Sequence, residues 1–183
     1  ATRLRATGEL GERSSALAFE IGADNLAQWR AGLGGRVDVR GTLRGRFDSP
    51  TLDATLDAQR LLIEASGLRT TVGDAKLVAQ GLRVDGKGLD LEASIAGGVR
   101  VVDIEAGPKA APLLALTTVR ARLAGASDSH RIVLDAEGKD QRLRLSARGG
   151  IAGTGDALRW QGRVLDLAIT HPLLRLPAPR DRK

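Results

Sequence analysis

The sequence predicts an all-β fold, a long, one-sided antiparallel sheet with one short helix near residues 24–33. Apolar and polar residues alternate along most of the chain, and turn-forming residues recur at short intervals. Hydrophobic residues make up 42% of the 183 residues, but aromatic residues only 2%. Because aromatic side chains supply much of the bulk of a thick core, this composition favours a thin sheet layer.

The alternation has a period of two, which is typical of strands with one buried face. The apolar members of the clearest segments are Leu17, Phe19 and Ile21; Val37, Val39 and Leu43; Leu52, Ala54, Leu56 and Ala58; Leu89, Leu91, Ala93 and Ile95; Ile132, Leu134 and Ala136; and Leu143, Leu145 and Ala147. Parallel strands covered on both faces have unbroken apolar runs instead. The pattern therefore predicts antiparallel strands with one apolar and one charged face.

Turn signals divide these segments into about ten or eleven strands. They are Gly34-Gly35, Asp48-Ser49-Pro50, Asp85-Gly86-Lys87-Gly88, Gly97-Gly98, Gly107-Pro108, Glu137-Gly138-Lys139-Asp140 and Gly149-Gly150. Such spacing is typical of a sandwich, a barrel or a β-solenoid.

One segment departs from the strand pattern. Asp24 resembles a helix N-cap, Leu26, Trp29 and Leu33 have helical spacing, and two glycines follow. These features predict a short amphipathic helix over residues 24–33, packed across an end or edge of the sheet.

The chain is treated as a single domain over residues 1–183, with residues 177–183 as a frayed tail. It contains no methionine and starts at Ala1, so we expect a segment of a longer protein. No apolar run approaches the roughly 18 residues of a membrane helix. The net charge of +6 permits contact with nucleic acid or anionic lipid but does not choose between them.

Candidate chemical groups are sparse. Asp128, Ser129 and His130 are adjacent, but neighbours on an extended chain point apart and no nucleophile elbow is present. With His130 and His171 as the only histidines and no cysteine, a zinc site would need distant carboxylates. We therefore predict no catalytic residues, no metal site and no cofactor.

The arginines form a second candidate site, for phosphate groups. They include Arg36, Arg40, Arg44, Arg46, Arg142, Arg144 and Arg148. Nucleic-acid binders usually add aromatic stacking platforms, which are scarce here, and acidic residues alternate with the arginines. A solvated outer face is the preferred interpretation, without a nucleic-acid partner. Trp160 is interpreted as a residue packed over one end of the sheet.

Two stretches resemble the TamB family of AsmA-like envelope proteins. Residues 35–54 have the pattern G-x-V-x-V-x-G-x-L-x-G…P-x-L-x-A, preceded by the expected helix. Further on, the order is Ser129-His130-Arg131, then Trp160-Gln161-Gly162, then a Leu- and Pro-containing end at Leu174–Pro179. That order is similar to the TamB region preceding its C-terminal conserved domain.

The resemblance implies a β-taco, a sheet curled lengthwise into a U-shaped trough with an apolar interior. It also implies a parent protein anchored in the inner membrane of a Gram-negative bacterium, with this segment in the periplasm and an outer-membrane partner of the Omp85 type (TamA-like). The implied function is non-enzymatic conduction of phospholipids between the two membranes.

The apolar face is the expected lipid groove. Its predicted lining for phospholipid acyl chains is Val37, Val39, Leu43, Leu52, Leu56, Leu77, Leu89, Leu91, Ile95, Leu116, Ile132, Leu134, Leu143 and Leu145. Two alternatives remain: a scaffold that binds β-strands of outer-membrane proteins during their assembly, and a closed β-sandwich whose Leu and Val residues pack against each other.

Overall fold

The computed structural model describes residues 1–9, 15–46, 48–83, 88–107, 111–152 and 159–170. They form eleven strands of a single sheet. The strands are Thr2–Gly8 (β1), Ser15–Ala23 (β2), Leu33–Gly45 (β3), Thr51–Ala65 (β4), Leu68–Arg83 (β5), Leu89–Asp103 (β6), Leu114–Leu116 (β7), Thr118–Gly125 (β8), His130–Glu137 (β9), Arg142–Ala152 (β10) and Arg159–Thr170 (β11).

The sheet is an antiparallel meander in which almost every strand pairs with its sequence neighbours. The order is β1-β2-β3-β4-β5-β6-β8-β9-β10-β11, and the short strand β7 pairs with β6 beside β8. β1 and β11 lie at opposite edges. The sheet is therefore not closed into a barrel, and the expected curled antiparallel trough is confirmed.

The helix expected over residues 24–33 is wrong. The structure has a single 3-10 turn, Leu26–Gln28, and the cap is Asn25, whose side chain accepts a hydrogen bond from the Ala27 amide. Asp24 instead contacts the Arg3 guanidinium at 3.1 Å. The segment cannot continue as a helix because Gly32 has a φ of +81° and β3 begins at Leu33.

Three Gly-Gly pairs interpreted as turns lie within strands. Gly34-Gly35 is in β3, Gly97-Gly98 in β6 and Gly149-Gly150 in β10. The first two coincide with irregularities in strand pairing, where an extra residue bends the strand locally. Glycine is found at such positions because it adopts φ values that other residues avoid.

These irregularities form a line across neighbouring strands, which we call the bulge line. It comprises Gly35 in β3, Arg60 in β4, Gly73 in β5, Gly97-Gly98 in β6 and Thr117 between β7 and β8. Arg60 has a φ of +49°, and Gly35, Gly97 and Gly98 also have positive φ. The long strands β3 to β6 cross this line. It therefore separates a shorter part of the sheet, which contains β7, from the main part.

Burial is shallow throughout the described residues. The buried apolar residues are Ala23, Ala58, Ala79, Ala136 and Ala147, and no large side chain among the described residues falls below 2% exposure. All described strands belong to one sheet, so no second sheet covers the apolar face. The structure is a single layer and differs from the sandwich alternative in that respect.

Substitution of Gly35 by alanine should destabilise the sheet. Gly35 has a φ of +101°, and an added Cβ would lie 2.6 Å from the Arg60 carbonyl oxygen. We expect a loss of about 2–3 kcal/mol in the free energy of unfolding, measured by urea denaturation, because backbone strain and steric overlap add.

Gly81 provides the matched control. Its φ is +59°, but an added Cβ would meet nothing within 4 Å. Gly81→Ala should therefore cost only the conformational strain of about 1 kcal/mol. Equal costs at the two positions would contradict a tight bulge line.

Candidate functional site

The register of the strands assembles one continuous apolar row across the sheet. Each member is the direct cross-strand partner of the next, and the row includes no polar residue. It consists of Leu4, Ile21, Val39, Leu56, Leu77, Ala93, Ala121, Leu134, Leu145 and Leu167. Because the strands are antiparallel and in register, the two-residue alternation of each strand falls on the same face.

Two further rows flank the first on the same face, two residues away along each strand except at the register shift in β11, where Val164 is three residues from Leu167. One consists of Ala6, Phe19, Gly41, Ala54, Ala79, Leu91, Leu123, Ile132, Ala147 and Val164. The other consists of Thr2, Ala23, Val37, Ala58, Ala75, Ile95, Val119, Ala136, Leu143 and Ile169. Thr2, at the edge, is the only polar member of the three rows, which we call the apolar face.

The predicted lining residues fall mostly on this apolar face. The members of the three rows are Val37, Val39, Leu56, Leu77, Leu91, Ile95, Ile132, Leu134, Leu143 and Leu145. Leu43 and Leu52 pair with each other one step further along β3 and β4, and Leu89 lies two residues before Leu91.

Leu116 is placed differently from the other predicted residues. It pairs with Val99 beyond the bulge line, in a separate row with Leu61 and Val72. All the predicted lining residues are half-buried except Leu77, which is 36% exposed.

Several residues of the face were not included in the predicted lining. Val119, Ala121 and Leu123 alternate clearly in β8, so the same period-two rule identifies them. β11 is harder to interpret because a register shift opposite Ser146 and Ala147 breaks its alternation. Only the paired register shows that Val164 and Leu167 share a face.

The apolar face is large for an uncovered surface. Nine intervals between strands of about 4.8 Å and two intervals between rows of about 7 Å give an area of about 600 Å². The largest apolar patch of a typical monomer is about 300–600 Å² and is often functional. The face therefore has the dimensions of a binding surface.

The opposite face is charged and its ions are largely paired across strands. Examples with their N···O distances are Arg144–Asp135 at 2.8 Å, Arg142–Glu137 at 3.1 Å, Arg122–Asp90 at 3.3 Å and Arg44–Asp53 at 3.4 Å. Within β3, Arg36 also pairs with Asp38 at 2.6 Å. The hydrogen bond from Arg36 lowers the pKa of Asp38 below its ordinary value. This face keeps the sheet hydrated, and its exposed pairs contribute little to stability.

His130 is buried and has both ring nitrogens engaged. Nδ1 lies 3.1 Å from the Ala126 carbonyl oxygen, and Nε2 accepts a hydrogen bond from Trp160 Nε1 at 2.9 Å. The Trp160 ring covers Gly149, where an added Cβ would lie 2.6 Å from Cζ2. His130 thus joins β9 to β11 structurally, and neither nitrogen is bonded to Ser129 or Asp128.

Within the described ranges, no group of three His, Cys, Asp or Glu side chains is arranged to hold a metal ion. No helix in the described part of the chain has the length and apolar character needed to span a membrane.

Replacing Trp160 by phenylalanine should destabilise the protein by about 1–3 kcal/mol. Among the described residues, Trp160 is the only donor bonded to Nε2 of His130, which is 2% exposed. Removing this donor leaves a buried polar group unsatisfied, which carries a desolvation cost. The measurement is denaturation followed by far-UV circular dichroism.

Trp29→Phe is the control, because Trp29 Nε1 donates to Thr2 Oγ1 at 3.1 Å among exposed residues. Its loss should cost less than about 0.5 kcal/mol. A Trp160 variant as stable as the Trp29 variant would exclude a structural role for the Trp160–His130 bond.

Comparison with known protein families gives one match that covers most of the chain. The family model described as "TamB, N-terminal domain" matches residues 1–178. It spans the first stretch that resembles TamB and all but the last residue of the second. The second stretch is therefore matched by the N-terminal domain and not by the region preceding the C-terminal conserved domain. No curated protein and no solved structure matches the chain. With nearly the whole sequence inside one family model, the chain belongs to the TamB family.

Proposed function

We propose that this chain holds phospholipid acyl chains on its apolar face and conducts them along the sheet between the inner and outer membranes. The observation that carries the proposal is the row from Leu4 to Leu167, which crosses ten strands without a polar residue. The row runs perpendicular to the strands, so successive strands extend one path.

The energetics of the face suit movement as well as binding. Each CH₂ group removed from water contributes about 0.8 kcal/mol, so an acyl chain lying on the face is held. The contacts repeat about every 4.8 Å with the strand spacing and involve mostly aliphatic side chains. A chain shifted by one strand therefore meets a similar surface.

Membership of the TamB family supports a cellular setting for this function. TamB proteins are non-enzymatic components of the Gram-negative envelope. We propose that the parent protein is anchored in the inner membrane, places this segment in the periplasm and meets an Omp85-type, TamA-like partner at the outer membrane. In this setting the segment supports outer-membrane homeostasis and assembly, without a cofactor and without nucleic acid.

A second candidate function is a scaffold for strands of outer-membrane proteins. The observation favouring it is β11, twelve residues long and exposed along its whole length at the edge of the sheet. An edge strand with free backbone groups accepts an added strand. Val164, Leu165 and Leu167 are each more than half exposed there and would lie against such a strand.

A photocrosslinker in place of Leu77 should capture phospholipid in cells, while one in place of Lys76 should not. Leu77 is on the apolar face and Lys76, its neighbour, is on the charged face. Lipid adducts are identified by mass spectrometry of the purified protein. Equal lipid labelling at the two positions would rule out selective binding to the apolar face.

Leu77→Glu should lower the amount of phospholipid that copurifies with the protein by about tenfold, because an ionised carboxylate must be desolvated beside an acyl chain. Stability should change little, since Leu77 is already 36% exposed. Native mass spectrometry measures the bound lipid.

Ser94→Glu adds the same charge to the opposite face, between Lys76 and Arg120. It should leave the lipid content within about twofold of the unchanged protein. Equal reductions in the two variants would mean that net charge, and not the apolar face, determines lipid content.

A further inference from the structure

A concavity of about 510 Å³ lies at the bulge line, away from the three apolar rows. It is formed by β4, β5, β6 and β7 and by the turn after β9. Gly73, Gly97 and Gly98 contribute backbone to it, and the apolar residues Leu61, Leu62, Val72, Val99 and Leu116 also line it.

Three cations line the same concavity, and none of the described residues that line it is acidic. They are Arg60, Arg100 and Lys139, all exposed. Within the part of the chain that the structure describes, none of the three forms an ion pair. By contrast, Arg69, nearby on β5, lies 2.6 Å from Glu64. The concavity therefore combines positive charge without a counter-ion and apolar surface.

The backbone at Arg60 is strained, with a φ of +49°. The Arg60 carbonyl lies against Gly35, where an added Cβ would be 2.6 Å from its oxygen. Residues other than glycine adopt this conformation rarely, and where they persist they cluster at ligand sites. Arg60 therefore departs from regular strand conformation at the bulge line, at a position where strain often accompanies a ligand site.

We propose that this concavity binds the phosphate headgroup of one anionic phospholipid. Guanidinium groups match phosphate oxygens in a bidentate manner, and a lysine adds a point charge. The leucine and valine side chains fit the adjoining part of the lipid. The inference rests on the proposed function, because it takes the ligand to be a phospholipid. It adds a site that distinguishes anionic from neutral headgroups.

The test uses the full chain and short-chain, water-soluble phosphatidylglycerol, with the corresponding phosphatidylcholine for comparison. Isothermal titration calorimetry measures the affinities. Phosphatidylglycerol should bind more tightly, and the variant carrying Arg60→Gln, Arg100→Gln and Lys139→Gln should bind it at least about tenfold more weakly. Lys139→Gln alone should give a smaller loss of affinity for phosphatidylglycerol. Because Lys139 is in an exposed turn, the thermal unfolding of this variant should be unchanged.

A matched control is available on β9, β10 and β11. Arg131, Arg148 and Arg163 are direct cross-strand partners, form no ion pair within the described residues and do not line the concavity. Replacing these three by glutamine removes the same charge from an open surface. This variant should keep its affinity for phosphatidylglycerol within about twofold.

Equal losses in the two triple variants, or no loss in either, would overturn the site. Inorganic phosphate that competes as well as phosphatidylglycerol would show a simple anion site and would overturn the lipid assignment. If the two lipids bind equally and neither variant changes this, the headgroup site fails while the acyl groove stands. If neither lipid binds, the proposed function fails with it.

Discussion

The constraint on which the structure depends is an apolar sheet face with no layer packed against it. A sheet normally buries its apolar face against helices or a second sheet. Here the described residues form one layer, and their most buried apolar side chains are alanines. The larger side chains, such as Leu56, Leu91 and Leu134, remain half-buried. Exposure of such a surface to water is unfavourable, and its burial under an apolar partner or ligand lowers the free energy.

The meander explains how such a face can stay continuous. Apart from the short strand β7, successive strands of the meander pair antiparallel, so the register is set locally and each strand extends the same rows. A register shift of one residue would move a strand's leucines to the charged face. The cross-strand ion pairs on that face, such as Arg144–Asp135, favour the same register although each exposed pair contributes little free energy.

The sequence predicted the faces well because period-two alternation is a local property. The alternation within each strand predicts the apolar face for Val39, Leu56 and Leu134, and strand pairing places them in one row. The glycine pairs were harder, because Gly34-Gly35 and Gly97-Gly98 have the composition of turns. Only the partner strand determines whether two glycines reverse the chain or form a bulge.

The expected helix failed for a related reason. Its apolar spacing, from Leu26 through Trp29 to Leu33, is helical, but Leu33 is already paired with Ile63 in the sheet. Strand pairing across a long sheet outweighs the weak preference of one short segment, since an isolated helix of this length is marginal. The position of Leu116 also could not be predicted, because β7 is three residues long and lies beyond the bulge line.

At the bulge line the pairing and the surface chemistry of the sheet differ from those of the repeated apolar rows. Uniform rows allow an acyl chain to occupy many equivalent positions, which favours movement but provides no place to stop. At the bulge line the regular pairing is interrupted, and Arg60, Arg100 and Lys139 line one concavity without an acidic partner. The strained backbone of Arg60 thus lies where the surface changes from apolar to cationic. A sheet that combines aliphatic rows with one interrupted, cationic position has the means to hold the two chemically different ends of an amphiphile.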